Sequence, residues 1–169
     1  YTYDALNRLR AVYSSTDAIH YHREAGYSYY DYGPLARKEI GSARVQGQDF
    51  MYTINGWLKG MNSNVLDKSK DPGKDGTVYP TGVFAARNSR VAVDAVGFSL
   101  GYYGGDYAPI GGQPAEAAYS GSAFGTGSPD LFNGNIRHMV TAIDGLDVQG
   151  TAYRYDQLQR IKEMQVYRA

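Results

Sequence analysis

Aromatic and polar side chains alternate along several short stretches of the chain, and a period of two indicates β-strands. In the first stretch, Tyr1-Thr2-Tyr3, both rings lie on one face of a strand because successive side chains point to opposite sides. Asp, Asn or Asn-Gly then supplies turn chemistry, and Leu or Ile begins a return strand. The pattern predicts an antiparallel hairpin in each of residues 1–13, 27–41, 50–61 and 152–167.

The predicted hairpins share a sequence repeat. Residues 1–9 (YTYDALNRL) and 153–161 (YRYDQLQRI) have Tyr, Tyr, Asp, Leu and Arg at the same positions, and weaker copies occupy residues 29–35 and 52–58. If Tyr3, Tyr30 and Tyr52 are equivalent, the copies are 22 to 27 residues apart, which is the length of one hairpin with its turns. A single hairpin cannot bury its own apolar face, so the copies must stack.

Composition supports an all-β chain. Leu, Ile, Val and Phe make up only 32 of the 169 residues, whereas the chain contains 17 Tyr and 21 Gly. Tyr favours the half-buried surface of a sheet, and frequent Gly indicates many turns or bulges.

Charge and cysteine content exclude several classes of function. The 17 basic and 17 acidic residues give a net charge of zero, which argues against a nucleic-acid partner because phosphate binding requires clustered Lys and Arg. The chain has no Cys, so it forms no disulfide and offers no thiolate to a substrate or a zinc ion. No apolar stretch approaches the ~18 residues of a membrane-spanning helix, and we expect no transmembrane segment.

The repeat resembles a known one. The pattern Tyr-x-Tyr-Asp-x-x-x-Arg-Leu, preceded by a Gly such as Gly150, is similar to the YD repeat of the RHS family, although Asn7 and Gln159 stand where that repeat usually has Gly. Four further stretches resemble RHS proteins common in Bacteroidetes: residues 30–37, 55–62, 95–103 and 132–136.

The resemblance implies both a fold and a function. RHS proteins form a continuous β-sheet ribbon that spirals into a hollow shell around a polymorphic C-terminal toxin. The chain is then expected to be a non-enzymatic structural segment of such a shell, secreted or displayed on the bacterial cell surface. Its expected partners are the remainder of a larger RHS polypeptide or neighbouring copies, together with an encapsulated toxin domain.

The tyrosines leave an alternative open. Exposed rings on a sheet can stack on sugars, so a surface adhesion or carbohydrate-binding module could be built on the same repeats. We favour a structural role for Tyr3, Tyr30, Tyr52 and Tyr155, in which their rings form packing ladders between strands. Their fixed position relative to each turn supports this interpretation, because a binding site needs such rings only once.

The repeats divide the chain into three parts of one continuous unit. Residues 1–61 and 131–169 carry YD-type repeats, and residues 62–130 form a loop-rich insertion. Within the insertion, residues 67–76 mix charges with Pro and Gly and predict an exposed loop. Residues 113–119 predict a short helix with Pro114 near its start.

Two candidate sites have simpler explanations. His20 and His22 share a face of a predicted strand and could bind a metal together with Glu24, but nothing else nearby requires a metal and an exposed polar face is the better explanation. Asp71-Pro72-Gly73 partly resembles the Asp-Pro motif with which RHS shells cleave themselves, but the spacing differs. Acid–base chemistry also needs two carboxylates whose environments give them different pKa values, and a solvent-exposed loop does not provide such environments.

Glycine-rich stretches at residues 101–105 and 121–127 lack the Lys and the following helix of a phosphate-binding loop, and the sequence contains no Gly-x-Ser-x-Gly motif. We therefore expect no catalytic, cofactor-binding or metal-binding residues and no cofactor.

The chain is also expected to be part of a larger assembly. Both of its ends carry ordinary YD copies, whereas a self-sufficient repeat array needs atypical capping units. Expressed alone, residues 1–169 should therefore associate, aggregate or melt without cooperativity.

Overall fold

A computed structural model describes residues 1–76, 88–109 and 129–168. None of these residues is helical, so the all-β prediction is confirmed; the predicted helix at residues 113–119 lies outside the described residues. The ten strands are β1 (Thr2–Tyr3), β2 (Leu9–Ser14), β3 (His22–Tyr29), β4 (Leu35–Ile40), β5 (Gln46–Tyr52), β6 (Leu58–Met61), β7 (Val96–Gly101), β8 (His138–Ile143), β9 (Gln149–Tyr155) and β10 (Ile161–Arg168).

The strands occur in the sheet in chain order, from β1 to β10, with each strand hydrogen-bonded to the next. The pairs whose register is described are all antiparallel. Each of the four spans predicted to be hairpins runs from one strand through a turn into the next strand, which confirms those predictions. Strand β7 lies within the stretch expected to be rich in loops.

The turns of these four hairpins share one backbone pattern. The amide of the first turn residue donates to the carbonyl of the fifth, and the amide of the fourth donates to the carbonyl of the first. The first and fifth residues are Asp4 and Arg8, Tyr30 and Pro34, Thr53 and Trp57, and Asp156 and Arg160. The fourth residues have positive φ: Asn7 60°, Gly33 119°, Gly56 79° and Gln159 63°. This is the three-residue hairpin loop whose last residue is left-handed, a conformation that favours Gly and that Asn7 and Gln159 adopt here as well.

The shared turn corrects the alignment of the second repeat. Tyr3 immediately precedes the first turn residue Asp4, and Tyr29 immediately precedes the corresponding residue Tyr30. Tyr29 is therefore the equivalent of Tyr3, and the sequence-based alignment of Tyr30 with Tyr3 was wrong by one position.

Replacing Gly56 with alanine should loosen the β5–β6 hairpin by about 1–2 kcal/mol, because an L-residue is strained in the left-handed region. Apart from Gly56 and its neighbours in the chain, no atom of the described residues lies within 4 Å of the position that the new Cβ would take, so the cost is conformational. Hydrogen exchange of the hairpin amides should accelerate roughly 5- to 30-fold. Asn7→Gly should slow exchange in the β1–β2 hairpin, and unchanged exchange in both variants would contradict the role assigned to the turn.

The described residues form two compact units. Unit 1 comprises Tyr1–Phe50 and Gly73–Asp94, and unit 2 comprises Met51–Pro72 and Ala95–Ala169. Among the described residues of unit 1, the buried apolar side chains are few and small, namely Ala11, Ala25 and Val91. Unit 1 therefore depends on polar contacts more than a typical core does.

Unit 2 has a larger buried face, formed mainly by Leu100, Tyr102, Val140, Ala142 and Ala152. Residues 62–64 (Asn-Ser-Asn) are also buried, although the sequence placed them at the start of a loop-rich insertion. The Ser63 carbonyl oxygen occupies the space where a Cβ of Gly97 would be, so only glycine allows this close approach to β7.

Candidate functional site

Aspartates at the first turn position fix two of the repeat turns. Asp4 Oδ1 accepts hydrogen bonds from the amides of Leu6 and Arg8, each at 2.9 Å, and its Oδ2 accepts one from the Arg8 guanidinium at 2.8 Å. Asp156 forms the same three contacts with Leu158 and Arg160. These hydrogen bonds lower the pKa values of both aspartates. The Asp and Arg of the repeat are thus partners within one turn, which the sequence analysis missed.

Tyrosine hydroxyls link successive hairpins. In two places among the described residues a Tyr donates to the carbonyl of the first residue after one of these turns, Tyr29 to Leu9 at 2.8 Å and Tyr102 to Leu58 at 2.7 Å; Tyr155 donates in the same way to Ile136, shortly before β8, at 2.9 Å. The last side chain of the turn packs on the same ring, since the Arg8 guanidinium lies 4.4 Å from the centre of Tyr29 and the rings of Trp57 and Tyr102 are 5.0 Å apart. The contacts support a structural role for these tyrosines, through hydroxyls as much as through stacked rings.

Unit 1 contains a charge cluster centred on Arg37. Arg37 lies on β4 opposite Asp49 on β5, and its guanidinium contacts that carboxylate. The guanidinium also donates to both oxygens of Asp75, at 2.8 and 3.0 Å, and the Asp75 side chain is completely buried. Glu39 lies 3.4 Å from Nε of Arg37. Burial lowers the pKa of Arg37, but the three carboxylates outweigh it and hold the pKa above its ordinary value.

Arg23 extends this cluster to β3. It donates to Glu39 at 2.6 Å, and its guanidinium crosses the sheet over Gly26, where any Cβ would overlap it. Burial raises the pKa of Glu39, but the hydrogen bond from Arg23 and the charges of Arg37 and Arg44 lower it overall.

Two glycines make room for the centre of the cluster. A Cβ at Gly47 would overlap the Asp75 carboxylate, and one at Gly73 would overlap the Asp49 carboxylate. Because Gly47 has no side chain, the Asp75 carboxylate can lie on the face of β5. Its ion pair with Arg37 holds the segment that follows Gly73 to the sheet.

Unit 2 contains a second buried cluster, centred on Lys59 of β6. Lys59 is 2% exposed, and its Nζ lies 2.8 Å from Oδ1 of Asp106, which is 7% exposed. The other oxygen of Asp106 accepts a hydrogen bond from the Tyr102 amide at 2.8 Å. Both oxygens of Asp106 are thus oriented by donors, one from β6 and one from the residue after β7.

His138, at the start of β8, completes this cluster. Its ring occupies the space where a Cβ of Gly101 would be, and the two residues are paired in register. Burial, the largest cause, and the positive charges of Lys59 and Arg137 together lower the pKa of His138 to about 4, against the opposing charge of Asp106. At neutral pH the imidazole is therefore uncharged and lies in the field of the Lys59–Asp106 pair.

Sequence reasoning missed both clusters. A signal was present in each case, because Arg37 and Lys59 lie within predicted strands, where a charge on the inner face needs a partner. The partners could not be identified from local pattern, since Asp75 is 38 residues from Arg37 and Asp106 is 47 residues from Lys59.

The candidate histidine site is not assembled. His20 lies in the connection between β2 and β3, so its placement on a strand was wrong, and its Nδ1 lies 2.5 Å from Oδ2 of Asp17. Glu24 accepts a hydrogen bond from the Ser14 hydroxyl. Among the described residues, His20, His22 and Glu24 do not bring their ligand atoms close enough together to hold an ion.

The loop at residues 67–76 is irregular, as predicted, but it is not uniformly exposed. Lys68, Ser69 and Pro72 are exposed, whereas Asp71 in unit 2 and Asp75 in unit 1 are buried. The argument that these aspartates are too wet for acid–base chemistry was therefore wrong in its premise. Of the glycine-rich stretches, residues 101–105 include the end of β7 that accommodates His138, and residues 121–127 lie outside the described residues.

Comparison with protein-family models, curated proteins and solved structures found no match to this chain. The described part of the chain contains no helix of the length and apolarity that a membrane crossing requires.

Proposed function

We propose that the chain is a non-catalytic wall segment of an RHS/YD-repeat shell that encapsulates a polymorphic toxin or other cargo. The observation that carries the proposal is the repeated linkage between hairpins: within the described residues one turn geometry occurs four times, and three Tyr hydroxyls bond backbone carbonyls of the preceding connection or strand, two of them directly after such a turn. A module that repeats its own connections can be extended strand by strand, which is what a continuous wall requires.

The mechanism of such a wall is containment. Hydrogen-bonded strands leave no gap for solvent or for cellular targets, and the interrupting segments are held to the sheet by the Arg37 and Lys59 clusters. In this proposal the buried charges stabilise the wall and perform no turnover. The chain acts in a secreted or cell-surface protein, with the remainder of the RHS polypeptide and the cargo as its partners.

The test uses the parent polypeptide at its natural length. Electron microscopy should show a hollow shell, and a protease should spare the enclosed cargo. Tyr29→Phe and Tyr155→Phe each remove a hydroxyl hydrogen bond worth about 1 kcal/mol, so together they should speed cargo digestion by one order of magnitude or more. Tyr13→Phe is the matched control, because Tyr13 lies on β2 with its side chain exposed. Absence of an enclosed volume, or cargo digested equally fast in all proteins, would refute the wall.

A surface adhesion or carbohydrate-binding module is the second candidate, favoured by exposed aromatic pairs at the turns. Phe132 is 71% exposed and stacks on Tyr103 with ring centres 4.7 Å apart, and Tyr32, 67% exposed, stacks on Tyr30 at 5.1 Å. Phe132→Ala and Tyr32→Ala should abolish binding on a glycan array, whereas Leu158→Ala, at another exposed turn, should not. No binding by the unmodified protein would exclude this candidate.

A further inference from the structure

The Lys59–Asp106 pair combines three features that few ion pairs share. An amine and a carboxyl group lie 2.8 Å apart, both side chains are buried, and the two residues belong to segments 47 residues apart. Arg37 in unit 1 has equally buried carboxylates, but a guanidinium is not a nucleophile under these conditions, since it does not lose its proton in proteins. A lysine amine does become nucleophilic when it is desolvated and uncharged.

We infer that Lys59 and Asp106 condense into an intramolecular amide that staples β6 to the segment after β7. The new bond joins Nζ of Lys59 to Cγ of Asp106, and one Cγ–O bond of the carboxyl group breaks. The ammonium loses two hydrogens and the carboxylate loses one oxygen, so one water molecule leaves and no oxidant, reductant or cofactor is consumed. This inference goes beyond the proposed wall and does not depend on it.

The surroundings favour the reaction. Lys59 and Asp106 are both buried, so bulk water is largely excluded from the reacting groups. Oδ1 lies against the amine and becomes the leaving hydroxyl. The Tyr102 amide donates to Oδ2 at 2.8 Å, which polarises the remaining C=O and stabilises the charge that develops there during attack.

In this inference the His138 imidazole carries the proton from the amine to the leaving hydroxyl. Burial, the largest cause, lowers the pKa of His138; among the described residues the charges of Lys59 and Arg137 lower it as well and that of Asp106 raises it, so that the pKa is about 4 and the imidazole is uncharged at neutral pH. A neutral imidazole can take a proton from the attacking amine and return it to the departing hydroxyl. Gly101 is required for this placement, because the His138 ring fills the space of the absent Cβ.

The staple would suit a chain without cysteine. Joining residues 59 and 106 closes a long loop in the unfolded chain, which reduces its conformational entropy in the way that a disulfide does. It would also hold unit 2 together against mechanical or proteolytic opening without any redox sensitivity.

Intact-mass measurement tests the inference on the folded, protease-resistant fraction of the protein. The expected mass is that of the sequence less one water. Trypsin does not cleave after an acylated lysine, so digestion should release one branched peptide joining residues 45–68 to residues 91–137. A succinimide at Asp75-Gly76 or Asp144-Gly145 would lose the same mass but leave these peptides separate, and hydroxylamine would open it.

Variants separate the roles. Lys59→Arg keeps the positive charge but should give the full sequence mass, whereas Lys162→Arg on β10 should still lose one water. His138→Gln should slow bond formation by about 100-fold or more, the usual contribution of a positioned acid–base group. A folded unmodified protein at its full sequence mass, or water loss without the branched peptide, would overturn the inference.

Discussion

Replacing Arg37 with methionine is expected to destabilise unit 1 by about 3–5 kcal/mol, because the change leaves buried carboxylates without their cation. The Arg37 side chain is 11% exposed, and Asp49 and Asp75, which it contacts, are buried. Methionine retains an unbranched apolar stem, so the loss reports the missing charge rather than missing volume. Hydrogen exchange of the β4 and β5 amides should rise toward that of the unfolded chain.

Arg160→Met is the matched control for this experiment. Arg160 also pairs with an aspartate, but its side chain is 73% exposed, and exposed pairs contribute only about 0–1 kcal/mol. If the two substitutions had equal effects, the assigned burial of the Arg37 cluster would be wrong.

A rescue variant tests the cause. Adding Asp49→Asn and Asp75→Asn to Arg37→Met removes the uncompensated charges and should recover part of the lost stability, because neutral replacements of a whole buried ion pair are often tolerated. Glu39 retains Arg23 as a partner at 2.6 Å in every variant. Failure of the triple variant to exceed the single one would mean that packing, and not charge, dominates at this site.

Local pattern was sufficient to predict the hairpins. Residues 3–9 and 155–161 each contain a strand end, a turn and a strand start within seven residues, so the hydrogen bonds that define them connect near neighbours. The sequence also indicated the position of the left-handed residue, because Gly33 and Gly56 occupy the turn position at which Asn7 and Gln159 adopt a positive φ. The alignment of Tyr30 failed because two adjacent tyrosines allow either frame.

The charge clusters could not be predicted because the paired residues are distant in sequence. The glycines beside them did not help, since a glycine in a strand can indicate a bulge, a bend or a close approach. Gly47 lies within β5 and Gly101 is the last residue of β7, and a glycine in a strand predicts a close approach without identifying the group that approaches. The structure supplies the answer in each case: the Asp75 carboxylate at Gly47 and the His138 ring at Gly101. A glycine in a predicted strand that also carries a charged residue, as β5 carries Asp49 beside Gly47, is the signal to seek in similar sequences.

Acidification from pH 7 to pH 4 is expected to destabilise unit 2 by about 3 kcal/mol through His138 alone. The imidazole of an unfolded chain binds its proton near pH 6.5, whereas burial lowers the pKa of folded His138 to about 4. Between these values the unfolded state holds more protons, so each step toward acid favours unfolding, and the loss is complete once the pH falls through the folded pKa. Burial is the largest cause of the shift, so the loss is expected whether or not Lys59 and Asp106 are ionised.

Hydrogen exchange of the β7 and β8 amides at a series of pH values, corrected for the intrinsic exchange rate, measures this loss. His138→Gln should flatten the profile between pH 6.5 and pH 4, whereas His20→Gln, which removes an exposed imidazole, should not. The turn aspartates Asp4 and Asp156 do not interfere, because their lowered pKa values confine their loss to pH below about 4. An unmodified protein whose β7 and β8 protection stays constant down to pH 4 would show that His138 is not held neutral in the fold, and the proton-carrying role assigned to it would fail as well.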